Sequence, residues 1–304
     1  MIKMNFIRNP VNCAFTMLSM LMIPYGWSQK NSTESGCQEL FNGKDLSGWY
    51  TYQRQPEPTS KVAGLKMEDG KYVEPIGLNK DPLGVFTVVE LDGGKVIRIS
   101  GEVFGILVTD EEFENYHLTL EFKYGEKKYP PRENAKRDSG ILYHSFGKEA
   151  ARGDVWMSSV ECQIQEGDTG DLWCVQATTA KVNVETDEDG KFKYNPSGPL
   201  QEFDWRGSRY CQLSSDYEKP YGEWNTVDIY AFGDESIHLV NGKKNMHLKD
   251  IRYYEGDKST PLAKGKIQLQ SEGAEIFYRN IRIGPISKLP LGKPACPIGR
   301  PTRY

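Results

Sequence analysis

In 304 residues there are four histidines, and no Cys-x-x-Cys pair, Gly-rich phosphate loop, His-Glu-x-x-His or Gly-x-Ser-x-Gly. Those absences speak against a zinc ribbon, a nucleotide fold, a zinc protease and a serine hydrolase. Charge of one sign is also missing. Against 38 basic residues stand 42 acidic ones, a net charge of −4, which leaves no footprint for nucleic acid. Between 40 and 284 no apolar pattern of helical period runs to a useful length. Beyond residue 28 no apolar stretch approaches the length of a membrane span.

What is present is rich in turns and rings. Thirty Gly and 17 Pro are scattered rather than repeated, and aromatics make up 12% of the chain, with 17 Tyr and 6 Trp. Short alternating segments recur at 85–89, 96–100, 105–109, 115–124, 138–144, 160–165, 224–232, 236–240, 266–271 and 274–283. Many short strands with close turn signals predict one antiparallel all-β sandwich or barrel over 38–284. Asn241-Gly242 is the strongest tight-turn signal in the chain. Residues 194–222, full of Pro, Gly and Tyr, read as a long excursion; such loops tend to be functional or to cover a site, and a lid and a packed flank both stay open.

The first 28 residues read as a secretory signal peptide, with Lys3 and Arg8 ahead of the apolar run 13–23 and polar residues near Ser28. The expectation is export to the periplasm or beyond, with 29–37 as a flexible start and 285–304 as a Pro-rich tail. Of six Cys, Cys13 leaves with the signal, so five remain. Cys37 and Cys296, one near each end, form a candidate staple, although spacing does not fix connectivity. Cys162 reads as a small apolar residue on the core face of its strand.

The stretch richest in chemistry is Val160-Glu-Cys-Gln-Ile-Gln-Glu-Gly-Asp-Thr-Gly-Asp-Leu-Trp173. Val160, Cys162 and Ile164 share one face of a strand, and Glu161, Gln163 and Gln165 share the other. A row of carboxylate and carboxamide groups accepts and donates hydrogen bonds in fixed directions. With Glu166, Asp168 and Trp173 beside it, the row suits a carbohydrate, whose hydroxyls sit at ring edges and whose C–H faces stack on aromatics. A polar strand followed by an acidic loop would look the same. Gln270 shares a face with Gln268 on another strand, with Glu272 at its end, and the pair of rows favours a polar concave face. His144, at the end of a Gly-flanked strand, is a candidate acid, base or ligand, with a satisfied structural histidine as the default reading. Lys181 is a candidate substrate partner. His117 and His238 read as rim residues and His247 as a loop residue.

Several landmarks occur together and in order: Leu40-Phe-Asn-Gly-Lys-Asp-Leu-Ser-Gly-Trp49, Ser139-Gly140, Glu161-x-Gln163, Glu223-Trp-Asn225, Asn241-Gly242, Leu269-Gln270 and Phe277-Tyr-Arg-Asn-Ile-Arg-Ile283. Over about 38–284 the chain resembles the 3-keto-disaccharide hydrolase family. The resemblance implies a concanavalin A-like jelly-roll sandwich that holds sugar on its concave sheet. It also implies cleavage of a glycosidic bond in a sugar oxidised at C3. Glu161, His144 and Glu272 would then be catalytic. Gln163, Gln165, Glu166, Asp168, Trp173, Lys181 and Gln270 would hold substrate, and a divalent cation is a candidate cofactor. Where the family carries Asn before Ser-Gly and Arg at the strand end, this chain has Asp138 and His144. Where the family reads Gln-x-His-Gly, it has Gln270-Ser-Glu-Gly273. A non-catalytic carbohydrate-binding module and a two-carboxylate glycoside hydrolase remain open beside this reading.

Overall fold

A computed structural model describes residues 36–153, 155–289 and 296. The expected signal peptide lies outside the described residues, as do most of 29–37 and most of the tail. Among the described residues there is no α-helix, only a 3-10 turn at Ala151–Gly153, and no helix long and apolar enough to cross a membrane.

The alternation read from the sequence builds two large sheets. A nine-stranded front sheet runs Tyr210–Cys211, Leu172–Val175, Ser158–Gln165, Asp138–Phe146, Lys264–Ser271, Gly105–Thr109, Trp49–Gln53, Gly77–Leu78, with Phe113–Glu114 paired off this path. A twelve-stranded back sheet centres on Asn225–Phe232, Tyr116–Lys128 and Ala274–Pro285. Neighbours in the front sheet pair antiparallel. The inward faces meet in one core, where Ile141, Val160, Cys162 and Leu269 from the front join Leu120, Phe122, Ile229 and Tyr278 from the back. Each large apolar side chain taken out of water there contributes about 2 kcal/mol. This is the jelly-roll sandwich expected from the sequence.

Turn chemistry sets the register. Asn241 and Gly242 both adopt positive φ, 49° and 75°, and close a two-residue hairpin in which Val240 pairs with Lys243. The excursion at 194–222 is not a lid. Leu200–Asp204 pairs with Thr178–Thr186 of the back sheet, and Tyr210–Cys211 pairs with Leu172–Val175 of the front sheet, so the segment forms a packed flank. Its apolar residues Phe203 and Cys211 belong to the core, a role hidden by the Pro and Gly between them.

The three chain-end observations agree. Cys37 and Cys296 are disulfide-bonded across 259 residues of sequence, while Cys162, Cys174 and Cys211 are free and buried. Gln38–Glu39 extends the back sheet alongside Ala274–Pro285. A Cβ on Gly284 would lie 2.5 Å from Cys296 Sγ, so only glycine lets the disulfide settle on that strand. The Cys296 backbone N–H donates to His117 Nδ1 at 2.9 Å, and His117 Nε2 lies 2.8 Å from Asp228. His117 is therefore buried beside Cys296 rather than set at a rim, and His247 lies in the strand Lys243–Glu255 rather than a loop. Cross-linking so long a loop removes entropy from the unfolded chain. Cys296→Ser is expected to cost about 2–5 kcal/mol in urea unfolding, with no loss from adding reductant to the variant.

Candidate functional site

The polar face predicted for Ser158–Gln165 is real, and an absent side chain shapes it. Gly140 pairs with Gln163 on one side and, by the Ile141–Leu269 register, with Gln270 on the other. A Cβ on Gly140 would lie 2.2 Å from Glu161 Oε1 and 2.7 Å from Gln270 Oε1. Glu161 and Gln270 lean into the space that glycine leaves. In the amide orientation that satisfies both its ends, Gln163 donates to the Ser139 carbonyl at 2.8 Å and to Glu161 Oε1 at 3.0 Å. Gln270 hydrogen-bonds Glu161 as well, and its own Oε1 is buried with no hydrogen-bond partner among the described residues.

Glu161 is only 6% exposed. Burial drives its pKa well above the usual carboxylate range, and repulsion from Glu272 and Asp138 adds to the rise, against the hydrogen bond from Gln270 and the charge of Arg209. Asp138, on the same face, is pushed up to about 6 by burial, with Arg132 pulling the other way. The Arg132 guanidinium hydrogen-bonds Asp138 and reaches Glu272 at 3.7 Å, and Gln165 Nε2 donates to Asp138 at 2.5 Å. Trp173 lies directly across from Glu161, tilted on Tyr210 at 4.7 Å, with the Arg209 guanidinium 5.0 Å from its ring.

The structure thus brings Glu161, Gln163, Gln165, Gln270, Glu272 and Trp173 to one end of the front sheet. Glu166 and Asp168 border it but are engaged, Glu166 with Arg137 at 2.7 Å and Asp168 with Lys136 at 2.6 Å. Two expected residues are elsewhere. Lys181 sits on Thr178–Thr186 in the back sheet, paired with Asp250 at 2.6 Å. His144 follows strand parity only up to Tyr143, where the pairing with Ser158–Gln165 breaks register. With φ at 50°, it turns into the core against Tyr143 and Tyr116, at 5.2 and 5.6 Å. There burial lowers its pKa to about 3, and neither ring nitrogen has a hydrogen-bond partner among the described residues. His238, expected at a rim, is buried beside Tyr143 Oη at 2.9 Å.

Arg132, Asp138 and Arg209 are the members of the cluster that strand parity alone did not select. Asp138 shares a parity with Gly140, which is the signal that could have found it. Arg132 stands in the basic Pro-containing loop just before that strand, and Arg209 in the 194–222 flank. Among the described residues no group of three His, Cys, Asp or Glu is placed to hold a metal ion. The donors present are the three amides of Gln163, Gln165 and Gln270 and carboxyls countered by arginine, which do not make a cation cage.

Further along the same face the polar row gives way to an apolar patch, in which Val155, Trp156 and Met157 cover Ile106, Val108 and Leu142. Gln268 ties this cover down, accepting from the Met157 N–H at 3.2 Å and donating to Ser145 Oγ at 2.7 Å.

A family profile described as the 3-keto-alpha-glucoside-1,2-lyase-like domain matches residues 36–284. No curated protein matches the chain. Among solved structures, a presumptive glycosyl hydrolase of Parabacteroides distasonis is 20% identical, with 83% of this chain and 95% of that one covered at a TM-score of 0.42. The β-glucanase of Bacillus licheniformis is 11% identical, with 84% and 100% covered at 0.38. The carbohydrate-binding module CBM66 of Bacillus subtilis is 8% identical, with 65% and 91% covered at 0.37.

Two predictions test the cluster. Gly140→Ala is expected to shift stability by only about 1 kcal/mol, because the atoms it meets are side-chain ends, yet to displace Glu161. A crystal structure of the variant would show the carboxyl moved. Glu161 holds its proton to a higher pH in the folded chain than in the unfolded one. Stability is therefore lost as pH rises between the ordinary glutamate range and the raised folded value. Glu161→Gln should flatten that decline, so its melting temperature should exceed the parent's at pH 8 and match it at pH 4.

Proposed function

The chain belongs to the 3-keto-alpha-glucoside-1,2-lyase-like domain family, a carbohydrate-active family by its description, and we propose that it cleaves the glycosidic bond of a 3-keto-glycoside. The reaction is elimination followed by addition of water. The observation that carries this reading is Glu161, a desolvated carboxyl that accepts hydrogen bonds from two amides.

A ketone at C3 acidifies the neighbouring C2–H. Glu161 removes that proton, and the electron pair moves into an enolate. The enolate collapses, the C1–O bond breaks, and the departing oxygen takes up one proton. Water then adds across the new double bond. Desolvation makes Glu161 a stronger base than a carboxylate in water, which suits a weak carbon acid. Hydrogen bonds from Gln163 and Gln270 favour its ionised form. The unpartnered Oε1 of Gln270 is free to accept from a sugar hydroxyl. Trp173 supplies a stacking surface. Arg132, held by Asp138 and Glu272, is the residue we assign to the charge that develops on the C3 oxygen. No step runs through a metal.

We further propose that the protein is exported. The Cys37–Cys296 bond supports this, because such bonds persist in oxidising compartments. A second reading, a non-catalytic carbohydrate-binding protein, is favoured by one observation, the near-complete burial of Glu161.

The test is turnover of nitrophenyl glucosides, plain and 3-keto, with and without EDTA. Release only from the 3-keto substrate, unaffected by EDTA and reduced at least about 100-fold in Glu161→Gln, is the expected result. The rate should climb with pH past the ordinary carboxylate range, since the base must lose its proton. Release from the plain glucoside would favour ordinary hydrolysis. Silence on both would favour the binding protein.

A further inference from the structure

A recess lies beside Tyr52 of the front sheet, between that strand and the loops around it, away from Glu161. It encloses about 600 Å³ and is lined by Tyr52, Arg54, Gln55, Tyr72, Lys71 and Val155, among others. Its volume falls within the usual range for small-molecule sites. Pairing register fixes where it sits. Gln163 is opposite Gly140, Gly140 is next to Gln270, Gln270 is opposite Ile106, and Ile106 is opposite Tyr52. Four strand spacings separate the Gln163 and Tyr52 positions, about 19 Å. The apolar cover of Val155, Trp156 and Met157 lies between. The recess is therefore on the same face but is not part of the Glu161 cluster.

Its chemistry is aromatic at the centre and mixed at the edge. Tyr52 contributes a partly exposed ring, while Tyr72, buried with its Oη donating to the Ser60 carbonyl, and Pro56, Pro58 and Pro75 form rigid apolar walls. Gln55 and Lys71 are exposed at the margin. Arg54 does not present a bare charge. Its guanidinium rests 3.8 Å from the Phe104 ring centroid and pairs with Glu57 at 3.6 Å. One ring for stacking, Tyr52, with donors and acceptors around it and the main cation already countered, fits an uncharged polyhydroxylated ligand.

We propose that this recess is a second carbohydrate-binding site, specific for neutral oligosaccharide, that holds glycan without acting on it. A glycan bound there is kept on the face that carries Glu161. Because unoxidised glucan is not a substrate of the elimination, this site stands or falls separately from the catalytic reading.

Calorimetric titration of the full chain with maltotetraose, cellotetraose and tetragalacturonate tests it. Saturable binding of one of the two glucans is expected. Tyr52→Ala should weaken it at least about tenfold, and Gln55→Ala, a surface change that leaves the fold alone, about threefold. Glu161→Gln should bind as the parent does. The proposal is overturned if neither glucan binds, if tetragalacturonate binds more tightly than both, if Gln55→Ala matches the parent, or if Glu161→Gln abolishes binding.

Discussion

Everything in this protein turns on the two-sidedness of one strand. Ser158–Gln165 seals the core with Val160, Cys162 and Ile164, and the same backbone then has no choice about where Glu161, Gln163 and Gln165 point. A slip of one residue would put three polar groups in the core and three apolar ones outside. The neighbouring strands hold that register from both sides. Asp138–Phe146 contributes the missing side chain at Gly140, and Lys264–Ser271 contributes Gln270. The polar cluster is thus a by-product of core packing, sharpened by a gap.

That cluster runs against stability. Glu161, Asp138, Asp171 and Glu218 all have carboxyls raised by burial, Asp171 and Glu218 to about 7. Some of them are structural. Asp171 accepts from Tyr210 Oη at 2.5 Å and the Leu213 N–H at 2.6 Å, and Glu218 accepts from the Gly167 and Thr169 N–H groups. These two fasten the turn and the flank beside the cluster. Glu161 differs because its partners are side-chain amides rather than backbone. The cost of burying acids is carried by the large core between the sheets, which includes the buried rings Phe122 and Tyr278.

Strand identity and facing were legible in the sequence wherever alternation was unbroken. Leu118, Leu120, Phe122, Ile267 and Leu269 are buried as their parity predicts. Legibility ended at irregular backbone. His144 was misplaced because a register break after Tyr143 reverses its direction, and a bulge leaves no mark in a period-two pattern. Lys181 was misplaced because the chain changes sheets at Gln176 and Ala177, two positive-φ residues without glycine to announce them. Arg132 could not be chosen by pattern at all. Its role comes from a loop folding back on Asp138, and loops carry no periodicity. Whether 194–222 is a lid or a packed flank was not legible, because its pairing partners lie in two different sheets.

The disulfide adds a constraint on orientation. Cys37, Cys296 and Gly284 gather on the back sheet, beside His117, whereas Glu161 and the Tyr52 recess lie on the outer side of the front sheet. The Cys37–Cys296 pair is therefore set on the side of the sandwich opposite the Glu161 face. A contact made at that cross-linked pair leaves the Glu161 face turned outward, so the disulfide marks a handle at the protein's back.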